Sequence, residues 1–84
     1  MYRISVSPEN GEIRDMFPQL RKVYPTTKEA GRGLSDMVER IWESPDFMYP
    51  RWYAALNSAN KEFPLFFRVE FKKETHCFLI EAVN

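Results

Sequence analysis

Tyr2, Ile4 and Val6 alternate with Arg3 and Ser5, a period of two that predicts a strand with one buried face. The stretch SPENGE at 7–12 breaks this pattern, and Asn10-Gly11 favours a tight turn because both residues tolerate positive φ. From 12 to 24 the pattern supports two readings. Ile13, Phe17 and Leu20 have helical spacing, but Pro18 would remove a helix hydrogen bond, so a short helix ending near Phe17 and a return strand fit equally well. LRKVYPT, 20–26, reads as extended.

The strongest periodic signal follows. TTKE at 26–29 has capping-box spacing, in which a hydroxyl and a carboxylate satisfy the first free amides of a helix. Ala30, Leu34, Met37, Val38, Ile41 and Trp42 then recur at intervals that build one apolar stripe, which predicts a helix over 27–43. Gly31 and Gly33 weaken its first turns by about 1 kcal/mol each relative to Ala. A close backbone contact accounts for them, and so does a frayed start. Ser44-Pro45 ends the helix. Pro50 suits the first turn of a second one, with Trp52, Tyr53, Leu56 and Ala59 on its apolar face and Asn57 to Asn60 as its exit.

The period returns to two in the last third. Leu65, Phe67, Val69 and Phe71 alternate with Phe66, Arg68, Glu70 and Lys72. KKET at 72–75 turns the chain, and HCFLIEAV at 76–83 comes back apolar on both sides, as a central strand does. The expected architecture is an α+β domain of order β-α-α-β-β: a small, mostly antiparallel sheet of three or four strands with two helices packed on one face. Its expected core is Leu34, Val38, Ile41, Trp42, Trp52, Leu56, Phe67, Val69, Phe71, Phe78 and Ile80.

Chain length makes this one domain, 1–84, since 84 residues hold too little apolar area for two cores. Twelve basic and twelve acidic side chains cancel, which argues against a general polyanion binder and against an acidic nucleic-acid mimic. Cys77 is the single cysteine, so no internal disulfide forms, and a reducing compartment, the cytoplasm, is the expected location. MYRISVSPENGE at the N-terminus lacks the apolar run of a signal peptide, and no segment approaches the ~20 apolar residues of a membrane span.

Catalytic chemistry finds little support. His76 and Cys77 are the natural nucleophilic or metal-binding pair, but neighbours in a strand point to opposite faces and cannot meet. They read better as a strand-end histidine and a small apolar cysteine. No four ligands are spaced for zinc. Glu9 with Glu12, and Asp36 with Glu39, are carboxylate pairs on solvated ground. GRG at 31–33 lacks the rest of a phosphate loop. No enzyme, metal or cofactor is therefore expected.

Two surfaces remain. Phe66, Arg68, Lys72 and Lys73 put an aromatic and three cations on or beside one strand face, an arrangement able to stack a base and hold its phosphates. Glu70 on the same face is equally consistent with an ordinary solvated sheet. Phe47, Met48 and Tyr49 lie in a connection bounded by Pro45 and Pro50, with Arg51 at its rim, and a loop with φ fixed at two sites orders cheaply. Such side chains either lid the core or contact a partner, and Tyr, Trp, Met and Arg are the types enriched at protein interfaces. The expectation is a non-catalytic protein-binding domain that occludes or bridges a larger protein or complex. Small phage and mobile-element inhibitors of host machinery, anti-CRISPR proteins included, form one such class. The alternative is a small nucleic-acid binder using the outer sheet face.

Overall fold

A computed structural model of the chain describes residues 1–54 and 65–83. Six elements follow in order: β1 (Tyr2–Ser7), α1 (Gly11–Met16), α2 (Thr27–Glu43), β2 (Phe47–Ala54), β3 (Leu65–Phe71) and β4 (Glu74–Ala82), with a single 3-10 turn at Pro18–Arg21. The strands form one antiparallel sheet of order β1-β4-β3-β2, and the helices cover one of its faces. This is the α+β class that the period changes predict, with one strand more than the minimal order.

α2 forms where its caps and stripe dictate. The Thr26 hydroxyl accepts the Glu29 N–H at 3.2 Å, and the Ser44 N–H closes the last turn on the Ile41 carbonyl. Ala30, Leu34, Met37, Val38 and Ile41 are buried. They face Ile4 of β1, Phe67, Val69 and Phe71 of β3, and Phe78 and Ile80 of β4, with Ile13 and Phe17 closing one end. Trp42 departs from the expected core and is 58% exposed. Ile41 holds the inward position at the helix end, and the next residue, about 100° further round, falls on the flank.

The segment 12–24 resolves in favour of the short helix. α1 ends at Met16 with an extended Phe17 as its C-cap, before Pro18, whose ring disfavours helical backbone in the residue preceding it. Asn10-Gly11 makes no hairpin turn; the Asn10 side chain instead accepts the Ile13 N–H at 3.0 Å and caps α1. Tyr24 is extended and exchanges two backbone hydrogen bonds with Tyr2, which covers part of the outer edge of β1. Its phenol lies against Gly33, where an added Cβ would stand 2.5 Å from the hydroxyl oxygen. Burial, and secondarily the charge of Asp36, push the Tyr24 phenol pKa up. Close approach is thus the reason for glycine at 33.

The largest departure is at 47–54. The expected second helix starting at Pro50 does not form; this segment is β2, the edge strand beside β3. Of its expected apolar face, Trp52 pairs across with Phe67, while Leu56 and Ala59 lie outside the described residues. Pro50 is tolerated because an edge strand can leave one ladder position without an N–H.

Candidate interaction surface

The shape of β2 decides which side chains reach solvent. Phe47 and Met48 pair with Phe71 and Glu70, whereas Arg51 and Trp52 pair with Arg68 and Phe67. The register slips by one residue, so Tyr49 and Pro50 together stand opposite Val69, a β-bulge. Tyr49 takes φ of 55° there, a left-handed conformation that costs a non-glycine residue about 1–2 kcal/mol. Its side chain is 74% exposed.

Phe47 was expected on the partner-binding surface and is instead in the core, 6% exposed. Its ring lies 4.8 Å from that of Phe71 and 6.0 Å from that of Phe17. As the first residue of β2, before the bulge, it has the inward parity. Met48 has the outward one and is 51% exposed. Arg51 is exposed on the outer face, and Trp52, expected in the core, points inward at the sheet margin. Trp52 meets Phe67 edge-on at 5.1 Å yet stays 40% exposed, because the edge strand has no neighbour beyond it among the described residues. Met48, Tyr49 and Trp52 are thus three large side chains of β2 left in water, Met48 on the outer face and Trp52 on the face toward the helices.

The residues of the alternative site separate. Phe66 is half-buried on the outer face, opposite Tyr53, and Arg68 is exposed one position along. Lys72 and Lys73 form the two-residue β3–β4 turn, at φ of 49° and 67°, the geometry of a primed hairpin. The Lys72 ammonium donates to both carboxylate oxygens of Glu12, at 2.8 and 2.7 Å, and so is held toward α1. Arg3, also on the outer face, pairs with Glu81 at 2.7 Å. What the sheet does bring together is Arg51 and Arg68, directly opposite each other on β2 and β3.

His76 and Cys77 point to opposite faces, as strand geometry requires. His76 is not at an exposed strand end, however. It is fully buried opposite Val69, and because a carbonyl can only accept, its Nδ1 donates to Pro8 O at 2.8 Å. Its Nε2 stands 3.4 Å from Glu74 Oε1, too poorly aligned to count as a hydrogen bond. The signal was present in the sequence, since His76 shares parity with Phe78 and Ile80. Cys77 is half-buried on the outer face, opposite Arg68. Among the described residues, no three His, Cys, Asp or Glu side chains cluster as a metal site would need, and no helix is long and apolar enough to cross a membrane.

No protein family, curated protein or solved structure matches this chain.

Proposed function

We propose that this domain is a non-catalytic protein-binding module that occludes or bridges a larger protein, and that the contact surface surrounds β2. The carrying observation is the exposure of Met48, Tyr49 and Trp52 along an edge strand. Aromatic and methionine side chains are the types that anchor interfaces once they are desolvated. Tyr49 adds a second argument. A strained tyrosine aimed at solvent stabilises nothing in the isolated domain, whereas a binding role accounts for keeping it. Arg51 lies on the same strand and supplies charge at the rim.

The narrower form of this proposal is a cytoplasmic inhibitor of host machinery from a phage or mobile element, anti-CRISPR proteins among them. Balanced charge and the single cysteine are in keeping with it. A nucleic-acid-binding role draws on the closeness of Arg51 and Arg68, with Phe66 beside them.

The test is capture from lysate by the immobilised chain, with and without nuclease, compared with the double variant Met48→Ser, Tyr49→Ser. A protein retained by the wild type should be retained at least about fivefold less by the variant, which keeps its unfolding midpoint. Equal retention by a folded variant, or retention abolished by nuclease, would remove the proposal.

A further inference from the structure

β1 is paired on both sides at its first residues only. The Tyr2 N–H and C=O both go outward, to Tyr24, whereas the Met1 carbonyl accepts the Val83 N–H on the β4 side. Backbone groups in an antiparallel ladder alternate in direction from one residue to the next, so Ile4 and Val6 direct theirs outward, as Tyr2 does. Among the described residues nothing bonds to them there. Two successive rungs of the strand are therefore open, and unpaired backbone groups at a sheet edge call for a partner. They open into a cleft whose far wall is Leu20 of the 3-10 turn with Gly11 and Arg14 of α1. An added Cβ at Gly11 would meet nothing within 4 Å, so the entrance is clear on that side.

We propose that an extended peptide segment of a partner enters this cleft and adds to β1 as a further strand. Charge does not recommend an ion here, since Arg3 pairs with Glu81 and Arg14 stands 3.9 Å from Glu9. What the cleft offers is donors and acceptors at strand spacing, roughly 7 Å from Ile4 to Val6, which an extended backbone matches without regard to charge. Val6 and Leu20, both half-buried, add an apolar floor for one side chain of the segment. A second copy of the chain fits worse than a free segment. The open rungs lie behind Leu20 and α1, so two copies of β1, each recessed by the same wall, cannot reach one another. This site is at the opposite edge of the sheet from β2 and stands independently of the reading given to that strand.

The isolated protein allows a test without its partner. Its backbone amide resonances are followed by NMR during titration with a blocked pentapeptide that alternates threonine and valine. The same peptide N-methylated at every residue forms the second arm. Saturable downfield shifts centred on Ile4 and Val6 are expected with the first peptide. The second should bind at least about tenfold more weakly, in keeping with lost backbone hydrogen bonds. Val6→Pro deletes one outward N–H and no bond to β4, a place where an edge strand admits proline, and should weaken binding by about the same factor. Gly11→Leu puts a side chain into open space at the entrance, keeps the fold whether or not Val6→Pro does, and should weaken binding about fivefold. No shift at Ile4 and Val6, or equal binding of the two peptides, would overturn the proposal. The same shifts on concentrating the protein alone would overturn it in favour of self-pairing. None of these outcomes bears on Met48 and Tyr49, so the two surfaces stand or fall separately.

Discussion

Replacing Phe47 by Ala tests the division of β2 into an inward and an outward half. Phe47 is 6% exposed, so truncation forfeits nearly all of its transfer free energy, about 2–3 kcal/mol for a buried ring. A cavity is left between Phe17 and Phe71, whose rings stand 6.0 and 4.8 Å away, and buried Phe→Ala changes of this kind total about 3–5 kcal/mol. A chain of 84 residues has about 4–13 kcal/mol in all, so the variant keeps little margin. Phe47→Leu, at about 1–1.5 kcal/mol, provides a folded intermediate point. Urea unfolding followed by tryptophan fluorescence reads both, since Trp52 contacts the core through Phe67. With a slope of about 1 kcal/mol/M, the midpoint should fall by ~3 M for Phe47→Ala and ~1 M for Phe47→Leu. Tyr49→Gly is the internal control: it relieves a left-handed tyrosine and should gain up to about 1 kcal/mol. A midpoint shift below ~0.5 M for Phe47→Ala, or a larger loss from Tyr49→Gly, would mean that the strand presents the other set of side chains to the core.

Gly33→Ala gains about 1 kcal/mol of helix propensity, but its Cβ would stand 2.5 Å and 2.9 Å from the Tyr24 hydroxyl oxygen and Cζ. A net loss of about 1–2 kcal/mol is expected, largely restored by adding Tyr24→Leu; simple stabilisation would show that Tyr24 does not press on α2. The adjacent changes His76→Ala and Cys77→Ala should differ sharply in thermal melts. The first should cost more than about 2 kcal/mol through lost packing and an orphaned Pro8 carbonyl, and the second about 0.5 or less. The opposite ranking would invert the faces of β4.

The extent to which the sequence disclosed this fold follows from how far each signal stayed local. α2 was readable to the residue because Thr26, Glu29 and Ser44-Pro45 mark its ends and a single stripe marks its face. β1, β3 and β4 were readable from their period of two, and the apolar run after His76 correctly put β4 inside the sheet. β2 was misread because one proline admits two meanings. Pro50 can begin a helix or sit in the bulge of an edge strand, and only the neighbouring strand distinguishes them. The aromatic content of FMYPRWY favoured the strand, but Trp52 and Leu56 also have helical spacing. That error carried Phe47 to the surface and Trp52 into the core. The pairing of Arg51 with Arg68 was out of reach for a different reason. It depends on the register in which β2 meets β3, a property of two segments together that leaves no periodic trace in either.

The strand order also has a mechanical consequence. β1 is an edge strand held to the sheet by β4, and Tyr2 lies opposite Ala82, so the outer ends of these two strands lie side by side. A force applied across them opens the ladder like a zipper, one rung at a time, without having to shear all of its hydrogen bonds together. An energy-driven unfoldase therefore meets different resistance at the two ends. Drawing in the N-terminal end peels away an edge strand along one ladder, with only the Tyr2–Tyr24 bridge on its other side. Drawing in the C-terminal end has to extract β4 from between β1 and β3, breaking two ladders at once and taking Phe78 and Ile80 out of the core.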